Sequence, residues 1–180
     1  LGWWRPLALF HRFQNRLLNE LSIESSRFIF ALSHTHAAAP LMEVDSSLPG
    51  SELLGPWMEH VFQATVSAVG KALANADEAI LDWHTGKCGL ASDRDFQDPD
   101  PNADRVICGF NPDAAADDTL LIGRITTASG TVRATLVNYA CHPTTLAWEN
   151  TSISPDYIGA MRETMEGATG ATAFFLQGMS

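Results

Sequence analysis

The feature that most constrains this chain is a pair of predicted strand ends that each carry histidine. Phe28-Ile29-Phe30-Ala31-Leu32 is a run of apolar and aromatic residues, the pattern of a buried strand. The predicted strand covers 27–32 and is stopped by Ser33-His34-Thr35-His36-Ala37-Ala38-Ala39-Pro40. His34 and His36 then sit at or just past its carboxyl end. In an extended chain, residues two apart point to the same side, so both imidazoles are expected to reach one site. Open α/β sheets place their sites at that edge. A second segment repeats the arrangement: Asn138-Tyr139-Ala140-Cys141-His142-Pro143-Thr144-Thr145 puts His142 past an apolar strand and before a proline. Neutral imidazole ligates zinc at roughly 2.0–2.1 Å. A bare His-x-His is as readily a helix cap or a packed pair. Two strand ends presenting histidine to one sheet edge instead suggest a shared metal centre.

The chain has 180 residues, 46 % of them apolar, enough for one globular domain with a real core. No apolar run reaches about 18 residues, so no membrane span is expected. The formal net charge of −10 argues against nucleic acid and against adsorption to anionic lipid, both of which attract basic faces. Cys88, Cys108 and Cys141 are too scattered for a disulfide framework, although a bridge between Cys88 and Cys108 stays open. No Cys-x-x-Cys occurs, so a thiolate zinc site is not expected. Cys141 reads as a packed thiol, because strand neighbours point to opposite faces. The chain starts at Leu1 and stops straight after an apolar strand, and reads as an internal piece of a longer protein. Compartment and oligomeric state stay open.

Taken in order, a helix is predicted from near Pro6 to Glu20, with Leu7, Phe10, Leu17 and Leu21 on one face. Trp3 and Trp4 ahead of it read as core or interface packing. Ser51 is the expected cap of a helix from Glu52 to about Asn75, whose apolar face is Leu54, Trp57, Val61, Thr65, Ala68 and Leu73. The small residues of its far half suit packing on a sheet. His60 reads as a surface or packed histidine. A strand is expected over 79–84, with His84 an ordinary strand residue. Residues 93–118 hold eight aspartates against two arginines and read as a long, irregular, solvated loop. Asp98, Asp100, Asn102 and Asp104 alternate like the start of a calcium loop. Ala103 stands where such a loop needs glycine and Gly109 where it needs glutamate, so calcium is a minor alternative. Strands are predicted over 120–126 and 132–139, joined by a turn at 128–131. Ser154-Pro155 should cap and open a helix to about Glu166, and 172–177 should be the last strand. The alternation predicts an α/β fold, a mixed β-sheet with helices packed on its faces, as a single partial domain over 1–180.

Three segments carry a resemblance in a fixed order: SHTHAAAP at 33–40, CHPTTL at 141–146 and FFLQGMS at 174–180. They resemble the N-terminal catalytic domain of the neutral/alkaline, non-lysosomal ceramidase family. The corresponding family patterns are Thr-or-Ser-His-Thr-His-Ser-Gly-Pro, then His-(Pro or Ser)-Thr-Ser-Met after a strand, then a strand, Gln, a short turn and Gly-Asp. The match spans most of this chain and about the first half of that domain. The resemblance implies a zinc amidohydrolase that cleaves the amide of ceramide, with Zn2+ as cofactor, a lipid substrate and a secreted or periplasmic location. Carried over, His34 is the first zinc ligand and His142 the second. His36 is the neighbouring histidine that meets substrate or the metal-bound water, and Arg94 matches an arginine on the substrate side. The family's other ligands, a glutamate and a tyrosine, fall beyond Ser180.

Departures surround this site. Ala37-Ala38-Ala39 replaces Ser-Gly, Leu146 replaces the methionine, and Gly178-Met179 replaces Ser-Asn. The substrate therefore stays open between ceramide, another amide and an ester, with a degenerate binding domain as the further alternative. The expected chemistry is that of zinc with an open position, which lowers the pKa of bound water to about 7. His36 would move a proton, and Arg94 would hold an oxyanion or a substrate hydroxyl. With only two protein ligands where catalytic zinc usually has three, the piece by itself is expected to be inert.

Overall fold

The computed structural model describes residues 1–146 and 150–179. In chain order they form β1 (Trp4–Arg5), α1 (Leu7–Leu21), β2 (Leu41–Met42), α2 (Leu54–Ala74), β3 (Ile80–Lys87), β4 (Asp95–Gln97), β5 (Val106–Cys108), β6 (Thr119–Thr126), β7 (Val132–Tyr139), α3 (Tyr157–Thr169) and β8 (Thr172–Gln177). The main sheet runs β3-β6-β7-β8. Its first three strands are antiparallel, and β8 lies parallel to β7. The fold is α/β with a mixed sheet, as the alternation of elements implied.

Period-two patterning builds the sheet core. Thr135, Val137 and Tyr139 alternate inward along β7, and Ala173 and Phe175 do so along β8, because successive strand residues point to opposite faces. Val137, Tyr139 and Phe175 close around Ile158 of α3. That helix is the crossover between the two parallel strands. A second core lies apart from the sheet, where Phe13 and Leu17 of α1 meet Val61 and Phe62 of α2. Trp4 wedges into it, with its ring centroid 5.0 Å from that of Phe13.

Several boundaries differ from expectation, each for a local reason. Residues 28–32 are extended but form no ladder among the described residues. Phe28 and Phe30 turn toward the helical core while Ile29 is 84 % exposed. The alternation is real, but side-chain burial rather than strand pairing orders the segment. In α1 the buried face is Phe13 and Leu17, and Leu7 is exposed. The far end of α2 packs on no sheet among the described residues: 71–75 are exposed, while Val61 and Phe62 meet α1. Ser51 does not cap α2; its hydroxyl donates to the Asp45 carbonyl, and a 3-10 turn over 51–53 leads into the helix. Asp156, not Ser154, caps α3. Within 93–118 the short hairpin β4–β5 interrupts the irregular stretch. Several of its aspartates are engaged in local bonds, Asp98 accepting from the Asp100 amide and from Arg105 Nε at 2.7 Å. All three cysteines are free thiols, so no Cys88–Cys108 bridge forms. No helix among the described residues is long and apolar enough to cross a membrane.

Tyr139 ties the sheet to the segment that leads to Arg94. Its ring is buried, and its hydroxyl donates to the Cys88 carbonyl and accepts from the Ala91 amide, both at 2.7 Å. Tyr139→Phe would strand both backbone groups. A loss of about 1–3 kcal/mol is expected, read as a lower urea midpoint at unchanged slope. An unchanged midpoint would mean that the two bonds contribute nothing.

Candidate metal centre

Two loops make the site. The first follows the extended segment 28–32, and the second follows β7. Thr35 is 3 % exposed; its hydroxyl donates to the Ser154 carbonyl at 2.9 Å and accepts from the Ala37 amide at 3.2 Å. The Ser154 amide donates to the Ala37 carbonyl at 2.8 Å, and the His36 amide reaches the Pro143 carbonyl at 3.4 Å. The two histidine loops are therefore laced to each other through the backbone. His34 has φ of +59°, a left-handed conformation that a residue with a Cβ seldom adopts. His34 and His36 thus reach one centre through a turn, with Thr35 pointing into the protein between them, and not through the extended alternation expected.

The second loop is held from three sides. The Asp156 carboxylate accepts from the Thr145 amide at 3.0 Å, the Thr145 hydroxyl at 2.8 Å and the Tyr157 amide at 2.7 Å. The Tyr157 hydroxyl and the Gln177 amide group both donate to the Cys141 carbonyl, at 2.7 and 3.2 Å. Gly178 lies so close that a Cβ on it would stand 2.8 Å from the Ala140 nitrogen. Its own amide donates to the Tyr139 carbonyl at 3.0 Å. Only glycine allows that approach, so the end of β8 sets the path of the chain into His142. Ser180, the last residue of the third segment singled out in the sequence, lies outside the described residues.

The outcome is a group of three imidazoles. His34, His36 and His142 each offer a ring nitrogen, and these donor atoms all lie within 4.8 Å of one another. The rings are set edge to face, with centroids 4.8 Å apart for His34–His142, 5.3 Å for His34–His36 and 5.8 Å for His36–His142. His34 and His142 are half-buried, and His36 is exposed. Burial, then the nearby Arg94 cation, then the two other rings push His142 down to about 4. Burial and Arg94 lower His34. His36 is lowered by burial, by His34 and by Arg94, against an opposing pull from Asp156. All three favour the neutral form, which carries the lone pair a metal needs.

Arg94 joins this site from the segment before β4. Its carbonyl accepts from the Gly109 amide at 2.8 Å, so the β4–β5 hairpin carries it. With His142, Thr144 and Met179 it lines a cavity of about 530 Å³. Among the described residues no carboxylate lies within ion-pair distance of its guanidinium. Elsewhere, His60 stacks on Trp57 of α2 and is exposed. His84 lies on the exposed edge strand β3. Neither joins the cluster. One neighbour escaped the sequence reading. The Trp3 ring stands 4.5 Å from that of His36 and 5.8 Å from that of His34, while Trp4 packs into the core, one of the two placements expected of the pair. A tandem tryptophan carries no periodicity that would separate the two.

No family model matches the sequence, and no curated protein does. Solved structures do share the fold. A structure of neutral ceramidase from Pseudomonas aeruginosa is 17 % identical with a TM-score of 0.64. A ceramidase complexed with C2 is 19 % identical with a TM-score of 0.67. Each similarity covers 94 % of this chain, but only 28 % and 27 % of those chains respectively. At such identity the likeness is one of fold.

Two outcomes follow for the metal-free protein. The folded pKa of His142, near 4, lies below its ordinary value of 6.5, so the unfolded chain binds the extra proton. Its effect on stability is nil above about pH 6.5, grows as pH falls toward 4, and is constant below that. The urea midpoint should therefore decline over this window, and His142→Gln should remove part of the decline; identical pH profiles would refute the shift. Asp156 has φ of +57° and ψ of −155°, a region nearly reserved for glycine. Asp156→Ala should cost about 1–2 kcal/mol through the lost cap. Asp156→Gly should cost less, because it sheds the strain; the reverse order in chemical denaturation would count against that strain.

Proposed function

We propose that this chain is part of a single catalytic domain of a zinc-dependent hydrolase of the ceramidase kind, acting on the amide of ceramide or a related N-acyl lipid. The observation that carries the reading is the convergence of three neutral imidazoles from two laced loops, one of them directly after β7. The fold likeness to ceramidases supports the reaction class.

The residues present fit such a metal. Their donor atoms are nitrogens of a borderline character that suits zinc, the rings are neutral, and they face a common point. His34 and His142, the two half-buried rings, would hold the ion. Bound zinc would supply a Lewis acid and a water of pKa near 7. His36 is the exposed member of the trio and stands on the open side. Neutral at working pH, it can take a proton from the attacking water and hand it to the leaving nitrogen. Arg94, which has no carboxylate within ion-pair distance among the described residues and lines the adjoining cavity, would stabilise the oxyanion that develops on the substrate carbonyl. The expectation that this piece alone is inert rests on these two protein donors, one fewer than catalytic zinc usually has, with His36 kept for proton transfer.

Metal analysis and turnover on the full-length protein test these roles. His34→Ala and His142→Ala should each lose the zinc together with the activity. His36→Ala should keep most of the zinc and lose turnover by about 10²–10⁴-fold; equal loss of both would make it a ligand instead. Arg94→Ala should lower kcat by about 10²-fold. Wild-type protein that carries no divalent metal, or that releases no fatty acid from N-acyl lipids, would sink the reading. Cleavage of esters alone would move it to another substrate class.

A further inference from the structure

We propose that Trp3 is the positioning residue of this centre. Its indole holds the His36 imidazole, and with it the His34 ring, turned toward the shared donor side. The inference rests on the metal-centre reading above, and its test separates the two.

The placement of Trp3 is fixed from both sides. Before it, the Ser33 hydroxyl donates to the Leu1 carbonyl at 3.2 Å. Gly2 is buried so close to the histidine loop that a Cβ there would stand 3.1 Å from the Thr35 carbonyl oxygen. After it, Trp4 and Arg5 pair in parallel with Leu41 and Met42, just beyond Pro40. The loop that carries His34 and His36 is thus bracketed by contacts to the residues on either side of Trp3. Neighbours in an extended segment point to opposite sides. Trp4 enters the helical core against Phe13 and Phe30, which leaves Trp3 facing the histidines. The Arg5 guanidinium carbon lies 5.2 Å from the Trp3 ring centroid, a cation–π contact that limits the freedom of the indole.

His36 is the ring that needs such a partner. It is the exposed member of the three and is the nearest of them to the indole, at 4.5 Å between centroids. An exposed imidazole otherwise samples its rotamers freely. A tilted aromatic contact at this distance is attractive beyond simple burial, enough to bias one rotamer over its rivals.

The experiment compares wild type, Trp3→Leu and Trp3→Phe by proton NMR of the histidine rings without metal, then by cobalt titration followed through the ligand-field spectrum. In wild type the His36 ring protons should be displaced upfield by the indole ring current. Trp3→Leu should abolish that displacement and, through the ligand His34 whose ring the indole also contacts, weaken cobalt binding by about tenfold, the lower end of what loss of a ligand's outer-shell partner costs. Trp3→Phe should restore most of both. Unchanged His36 signals in Trp3→Leu, or moved signals with unchanged cobalt affinity and spectrum, would overturn the proposal. If Trp3→Leu does not fold, Trp3→Phe decides: an intermediate displacement and affinity uphold it, and wild-type values of both overturn it. If wild type takes up no cobalt, the metal reading falls by itself. The ring signals then decide whether Trp3 orients His36.

Discussion

The exchange of hydrogen bonds between the two histidine loops is the interaction on which the site depends. Thr35 is the pivot. It sits between His34 and His36 in sequence, yet its side chain is buried and bonded to the Ser154 carbonyl. With Ala37 and Ser154 joined through their backbones, the loop from the N-terminal part and the loop after β7 become one unit. A buried hydroxyl without a partner is costly, so Thr35 finds its place only when the second loop is present. Left-handed backbone at His34 and Asp156 adds a further cost of order 1–3 kcal/mol at each position. The surrounding bonds must offset both.

Charge is organised around the same spot. The chain is acidic overall, yet the residues beside the three imidazoles include a cation, Arg94, with no carboxylate partner among the described residues. The acidic groups of the hairpin region are instead engaged locally: Asp98 with Arg105, and Asp117 with the Thr119 amide. Lys87 pairs with Asp118 at the far edge of β3. Arg94 is thereby left to act on the histidines and on whatever enters the cavity. A nearby positive charge disfavours imidazolium, which keeps the rings available as bases and ligands.

The sheet was legible in the sequence wherever apolar patterning met a clear turn. Strands β6, β7 and β8 fall where alternation put them, because Val132–Tyr139 and Thr172–Gln177 are half-buried strands bounded by glycine. His142 stood out because it follows β7 directly, whereas His34 and His36 were placed beside it by a strand that does not form, and they reach it through a left-handed turn instead. The helical layer was not. Periodicity gave α2 an apolar stripe as far as Leu73, but a stripe does not say which partner it meets, and Phe62 rather than Ala68 or Leu73 found one. Phe28 to Leu32 shows the converse limit. Its alternation matches a strand, while pairing depends on a neighbour that no local pattern encodes. Trp3 was invisible for a related reason. Its role follows from which side of a two-residue ladder it faces, and that is a tertiary fact.

The crossover from β7 through α3 to β8 fixes an order of assembly. His142 leaves β7 with its backbone untethered until Tyr157 and Gln177 reach the Cys141 carbonyl and Gly178 settles against Ala140. Those contacts come from residues made later on the ribosome. A nascent chain that has exposed both histidine loops, but not yet β8, holds its imidazoles on an unfinished edge. Synthesis proceeds at about 5–20 residues per second, so the roughly three dozen residues after His142 delay the finished centre by a few seconds. The final arrangement of the three imidazoles is thereby a late event, placed after the parallel pair closes.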